Sequence, residues 1–391
     1  MQLNTYPSFF TLLLMISFAS VNAVFFTPAL PDIAHYFTIS SVKAQQTITW
    51  FLVGYALGQL IYGPLANRFG RKPALYAGIA LQIASSLVCV FSGMIHSYLL
   101  LVIGRFLLAL GSGVGLKMTF TLVNECYEPK IAAQKVSYLM LAFAITPGLA
   151  VALGGILTTH FGWTSCFYAG AFYGMVLLAL TMRLPETLKT RHLDALNMMH
   201  LFQNYSAQFK NRQLITGGLL MGGSTCFVYL FAAAAPFIAI NMMGLSSAQY
   251  GLANLLPPIG LIIGSIVSAQ LIKRYSLEII LRSGILIATL GVIVMITAML
   301  FQMPVIFSLF LPMIIIYFGL CFIMANGSTL AMSKTQDKAH GAAVMSFINM
   351  GLATIVVLML GLFTMKALLL PLFYLVICAG MFCLYKSLVV E

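Results

Sequence analysis

The chain has 391 residues, 61% of them hydrophobic and only 7% charged, against roughly 45–50% and about 25% in soluble domains. That composition excludes a water-soluble enzyme, a nucleic-acid binder and a disordered protein. The net charge of +12, from 20 Lys and Arg against 8 Asp and Glu, would suggest nucleic acid in a soluble chain but marks cytoplasmic loops in one this apolar.

A bilayer-spanning helix needs about 20 mostly apolar residues. Taken in chain order, apolar runs separated by charge, Pro and Gly predict an all-α membrane protein. The spans fall near 8–31, 46–66, 74–94, 98–122, 135–158, 163–183, 213–240, 247–272, 280–301, 304–330, 340–362 and 367–386. Phe9 to Ala23 has the outline of a signal peptide, ending in Val21-Asn22-Ala23. However, no Lys or Arg precedes it and the apolar run continues to Leu30, so a first span is the better reading. The longest polar stretch, Pro185 to Gln213, falls between the sixth and seventh spans. It divides the chain into an N-terminal six-helix half (1–184), a cytoplasmic linker (185–212) and a C-terminal six-helix half (213–391). The seven Cys lie singly in or near apolar runs without Cys-x-x-Cys spacing, as small core residues do, and indicate neither a metal site nor a disulfide framework.

An even span number puts both termini on one side. With that side cytoplasmic, 16 of the 20 cations fall in the inner loops and C-terminus, and only Lys43 and Lys366 fall outside. This asymmetry predicts cytoplasmic N and C termini. The remaining two, Arg105 and Lys117, lie inside the fourth span.

Several segments carry a family signature. Gly63-Pro-Leu-Ala-Asn-Arg-Phe-Gly-Arg-Lys72 follows the second span, and Gly264 to Tyr275 follows the eighth as a weak internal repeat. Arg105 is followed by Gly111; Pro147, Gly154 and Gly155 lie in the fifth span; Leu184-Pro185-Glu186-Thr187-Leu188 leaves the sixth. Pro28-Ala29-Leu30-Pro31, Pro236-Phe237, Gly244-Leu245-Ser246, Tyr250-Gly251 and Gly260 to Ser265 complete the set. In this order and spacing the chain resembles the major facilitator superfamily, and within it the Bcr/CflA-type drug efflux transporters. There are departures. Asn67 stands where the loop motif has Asp, Val24 where an Asp often precedes the first-span Pro segment, and Val151 where the fifth-span motif has a second Pro.

The resemblance implies a major facilitator fold of two parallel six-helix halves. It implies an inner-membrane secondary transporter that exports small organic molecules or drugs by alternating access, with protons as the coupling ion. The implied partners are the substrate, protons and the lipid bilayer; no cofactor, metal or nucleic acid is expected, and the protein is expected to be a monomer. Gly63, Asn67, Arg68, Gly70 and Arg71 are the implied inner gating motif, with Pro147, Gly154 and Gly155 as the antiporter motif. The missing acid at Asn67 implies a weaker inner latch. Spans 1, 4, 7 and 10 are implied to line the path, so their mid-span residues Asn22, Phe25, Lys117, Thr121, Thr225, Tyr229, Tyr317 and Asn326 are substrate-site candidates, with Gln59, Gln82, Tyr138 and Asn349 secondary.

A charge inside a span costs about 2.5–3.5 kcal/mol on insertion scales and should face a cavity or partner. Arg105 belongs either to the coupling machinery, as the resemblance implies, or to a packing role in which it bonds carbonyls freed by a helix break. Lys117 lies about 18 Å further along the helix and points about 120° away. It either lines the path and attracts an anionic substrate, or snorkels to the cytoplasmic surface. No acid falls mid-span. Glu125, at the inner end of the fourth span, is expected to pair with Arg71. Asp32, at the outer end of the first, either loads protons or is a solvated helix end.

Two rivals to drug export remain: a transporter of an anionic metabolite, motivated by Lys117 and Arg105, and a non-transporting sensor. An enzyme is the least favoured class, because no nucleophile–base pair, metal cluster or phosphate loop stands out.

Overall fold

The computed structural model describes residues 6–188, 190, 205–332 and 338–389. Lys189, Arg191 and Asp194 of the stretch between the sixth and seventh spans, and Lys334 between the tenth and eleventh, lie outside the described residues. Twelve helices are long and apolar enough to cross a bilayer: α1 Phe9–Tyr36, α2 Ser41–Phe69, α3 Arg71–Met94, α4 Tyr98–Cys126, α5 Lys130–Phe161, α6 Thr164–Thr181, α7 Arg212–Met242, α8 Ser247–Leu271, α9 Leu277–Leu300, α10 Ile306–Thr329, α11 His340–Leu360 and α12 Leu369–Ser387. No strand occurs among the described residues. Within each unbroken helical stretch the backbone bonds itself, as the bilayer interior requires. An even number of spans puts the start of α1 and the end of α12 at one end of the bundle, called here the terminal face.

Side-chain oxygens fix where several helices begin. Ser40, Ser97, Asn211 and Ser276 each accept a hydrogen bond from a first-turn N–H, and Ser246 with Gln249 forms a full capping box before α8. Gly70 joins α2 to α3 without a loop. Its φ of +117° is a conformation only glycine adopts easily. Close backbone approach sets the packing of α3 on α4: a Cβ at Gly111 would lie 2.5 Å from the Gly78 carbonyl oxygen.

Several helices are broken, and proline marks the breaks. In α1 an α-helix over Phe9–Val24 gives way to a 3-10 turn over Thr27–Ala29 before helix resumes over Leu30–Tyr36. Pro28, without an N–H, cannot bond the Val24 carbonyl four residues back. The helix therefore continues beyond the predicted end at residue 31, but through a break. α8 breaks between Ala253 and Pro257, ahead of the Pro257-Pro258 pair, and α7 ends in a π-turn after Pro236.

Candidate functional site

The break in α1 leaves three successive carbonyls in need of donors, and side chains supply them. Thr27 Oγ1 donates to Val24 O at 2.8 Å. Arg105 Nη1 and Nη2 donate to Asn22 O at 2.8 Å and Ala23 O at 3.3 Å, and Nε donates to Thr47 O on α2 at 3.4 Å. Arg105 is 1% exposed. Its guanidinium carbon lies 3.8 Å from the ring centre of Phe26 and 4.5 Å from that of Phe51, a desolvated cation–π arrangement. No carboxylate among the described residues is within ion-pair distance of it. Arg105 thus holds α1, α2 and α4 together through main-chain carbonyls.

Lys117 lies twelve residues further along α4, half-buried, and meets no carboxylate among the described residues. Its Nζ donates to the Gln59 carbonyl on α2 at 3.3 Å. A Cβ at Gly63 would come within 2.5 Å of that nitrogen, so the absent side chain at Gly63 is the space the ammonium occupies. Thr121 Oγ1 donates to Lys117 O within the same helix. Tyr55, one turn before Gln59 on α2, lies within electrostatic range of Tyr229 on α7. Tyr229 is in turn within range of Arg105. On α2, Gln59 thus meets Lys117 of α4 while Tyr55 lies near Tyr229 of α7.

Other predicted positions face elsewhere. Asn22 donates through Nδ2 to Phe18 O and accepts at Oδ1 from Gln82 Nε2 on α3 at 2.9 Å. Together with Phe25 it lines a cleft of about 490 Å³ among α1, α3, α4, α5 and α6, which Arg105 also lines. Asn326 joins α10 to α8 through Ser268 Oγ at 3.3 Å and caps Phe322 O. Tyr317 is buried within electrostatic range of Tyr250. Asp32 is exposed in the first turn of the Leu30–Tyr36 segment.

At the terminal face a charged cluster ties together the α2–α3 junction, the end of α4 and the exit from α6. Arg71 Nη2 and Nε meet Glu125 at 2.6 and 3.3 Å, while Nη1 donates to Asn67 Oδ1 at 2.9 Å and to Ala66 O at 2.8 Å. Thr187 also bonds Glu125. Glu186 accepts from the backbone N–H of Arg71 and of Lys72, both at 3.0 Å, and so caps α3. Burial alone would raise the Glu186 pKa, but the N–H groups of Leu188, Lys72, Arg71 and Thr187 outweigh it and leave it below the usual carboxylate value. Gly70 leaves room for this carboxylate, whose Oε2 would stand 2.7 Å from a Cβ there. Arg68 occupies the last turn of α2. The sequence held a signal for the Glu186 cap that was not used: an acid just past α6, facing a junction glycine.

At the opposite face the two sets of six helices touch directly. Ser247 Oγ donates to Pro28 O at 3.2 Å, and Ala248 N to Thr159 Oγ1 at 3.1 Å. A Cβ at Gly155 would lie 2.3 Å from Ser247 O, and one at Gly148 would lie 2.8 Å from Pro258. Gly154 is pressed against Phe25 O, where a Cβ would lie at 1.8 Å. Pro147 begins this stretch, in which α5 lies between broken α1 and broken α8.

Twelve spans, paired halves and helix breaks at a shared seam describe a membrane transport fold, and a family model described as Major Facilitator Superfamily matches residues 11–358. The chain belongs to the Major Facilitator Superfamily. This transporter is not an enzyme but a multi-pass protein of the inner membrane. It is 28% identical to an uncharacterized transporter of Rickettsia felis over 269 residues, which are 68% of this chain and 65% of that protein. It is 25% identical to Multidrug resistance protein D of Escherichia coli over 343 residues, 87% of this chain and 85% of that protein. Among solved structures, the partially occluded inward open conformation of the xylose transporter XylE from E. coli matches with a TM-score of 0.73 over 97% of both chains at 14% identity, a likeness of fold alone.

Proposed function

We propose that this transporter exports small, drug-like organic molecules from the cytoplasm by alternating access, in exchange for protons. The observation that carries the reading is the seam at the opposite face. There α5 and α1 of residues 1–184 meet α8 of residues 213–391 through glycine-lined contacts and only a few hydrogen bonds. Contacts of that kind can part without breaking either half. The charged cluster at the terminal face joins α2, α3 and α4 to the first residues of the linker, so it keeps that half rigid as the seam opens. The linker 185–212 joins the two moving bodies.

The 16-to-2 distribution of loop cations supports a cytoplasmic terminal face, and hence a conformation closed to the outside. Multidrug resistance protein D supports a drug-like substrate. The membrane potential contributes about 2.3 kcal/mol per charge per 100 mV, enough to sustain more than a tenfold substrate gradient. Tyr55, Gln59, Lys117, Thr121 and Tyr229 line the proposed path, with Tyr317 and Asn326 deeper in the second half. Arg71, Glu125, Asn67, Arg68, Gly63 and Gly70 form the inner collar; Pro147, Gly154 and Gly155 form the outer gate. Arg105 sets the pitch of broken α1. Asp32, exposed at the outer end, is the first carboxylate an incoming proton meets. The working unit is a monomer.

The test is transport by the purified protein in proteoliposomes with an acidic lumen. Chloramphenicol, an uncharged drug, should accumulate in the lumen and leak out when nigericin collapses the pH gradient. Equal uptake with and without the gradient would refute proton exchange, and no uptake of chloramphenicol would refute drug export.

A further inference from the structure

We infer that the junction of α2 and α4 around Gln59 and Lys117 is a binding site for organic anions, with these two residues as its anion-recognising pair; this rests on that junction lining the substrate path. The first observation is the unmatched ammonium. Lys117 carries three N–H donors, and one of them meets a protein acceptor, the Gln59 carbonyl at 3.3 Å. No carboxylate among the described residues lies within ion-pair distance, and none of the eight acids of the chain falls in the middle of a span. A cation held away from water is expensive unless something pairs with it.

The second observation is independent and concerns the neighbouring amide. Gln59 is 6% exposed, and its Nε2 has no hydrogen-bond partner. A buried amide N–H left unpaired is rare enough to need an explanation. Both unmatched groups are donors on facing helices, α2 and α4, and both belong to the residue pair that the 3.3 Å bond brings together. An acceptor-rich group, such as a carboxylate, satisfies both at once, and charge-assisted bonds of this kind are the stronger class.

The walls agree with an organic rather than an inorganic anion. Tyr55, one turn from Gln59, and Tyr229 lie within electrostatic range of each other, and aromatic side chains suit an apolar body. The empty position at Gly63 holds the ammonium in place, because a Cβ there would lie 2.5 Å from Nζ and 3.0 Å from Cε. A cationic substrate would meet Lys117 with no carboxylate to offset the repulsion.

The site is tested by ligand binding rather than by transport. The thermal unfolding of the detergent-purified full chain is followed with three matched pairs: 2-naphthoate and 2-naphthylmethylammonium, decanoate and decylammonium, citrate and spermidine. At least one carboxylate should stabilise the wild type, none of the ammonium partners should, and Lys117→Met should weaken the carboxylate's apparent affinity by about tenfold or more. Lys117→Arg should restore most of it. Gly63→Ala, a second variant that leaves the charge in place but displaces it, should also weaken the carboxylate. Stabilisation by the ammonium series, no response to any carboxylate, or an unchanged response in both Lys117→Met and Gly63→Ala would overturn the inference. Failure of drug uptake in proteoliposomes, with carboxylate binding intact, would instead count against the export reading alone.

Discussion

Replacing Arg105 with Lys should destabilise the protein more than replacing it with Met. The guanidinium reaches two helices at once, holding Asn22 O at 2.8 Å and Ala23 O at 3.3 Å on α1 and Thr47 O at 3.4 Å on α2. It also stacks against Phe26 and Phe51. Lysine is a compact point charge that can neither fork between helices nor stack as a plane. It keeps the desolvation penalty of a buried ion, several kcal/mol, while leaving about two carbonyls unbonded at about 1–3 kcal/mol each. The lost ring contact adds about 0.5–2 kcal/mol. Hydrogen bonds in membrane helices average about 0.6 kcal/mol, so the lower end applies, and the expected loss is about 3 kcal/mol. Methionine loses all three carbonyl bonds but also removes the desolvation penalty, which leaves a net cost of about 1 kcal/mol. A thiol-reactive dye reports unfolding through the buried Cys89, Cys166 and Cys226. Wild-type stability for Arg105→Lys, with collapse of Arg105→Met, would refute the reasoning by showing that charge alone matters.

Three further outcomes follow from the gates. Gly155→Leu drives a side chain into Ser247 O, where even a Cβ would lie at 2.3 Å; labelling of an engineered Ser247→Cys by an impermeant maleimide should rise severalfold and transport should stop. Glu186→Gln should cost about 1 kcal/mol at neutral pH. Because folding lowers the Glu186 pKa, its contribution is present above the ordinary carboxylate range and is lost as pH falls through its folded value. The two proteins should therefore converge in thermal stability below about pH 4; a constant gap would contradict the cap. Asn67→Asp places a carboxylate where Asn67 Oδ1 already meets Arg71 Nη1 at 2.9 Å. It should tighten the inner collar and slow maleimide labelling of Thr121→Cys, and an unchanged rate would count against a weakened latch in the wild type.

The membrane spans were legible because charge and proline interrupt an otherwise apolar chain. The span predicted at 98–122 is Tyr98–Cys126, and the one at 163–183 is Thr164–Thr181. The Arg71–Glu125 pair was legible because opposite charges at adjoining ends of one face have few other partners. What α1 does with its faces was not. Its residues are apolar nearly all round, so periodicity does not tell the side toward the seam from the side toward α3 and α6. Helix number alone places Asn22 and Phe25 on the path, and periodicity does not foretell the bond that ties Asn22 to Gln82 on α3. The partners of Arg105 were hidden for another reason: main-chain carbonyls have no sequence signature, and Pro28 marks only where they are released. Gln59 stood among the secondary candidates because its unpaired amide emerges only once α4 lies beside α2.

The parting of the two halves at the outer seam can be tested with one cross-link. In a cysteine-free background, Thr159→Cys and Ala248→Cys replace the pair now joined by the 3.1 Å bond from Ala248 N to Thr159 Oγ1. Oxidation should stop gradient-driven uptake of chloramphenicol, and reduction should restore it. Undiminished uptake by the fully cross-linked protein would contradict alternating access through this seam.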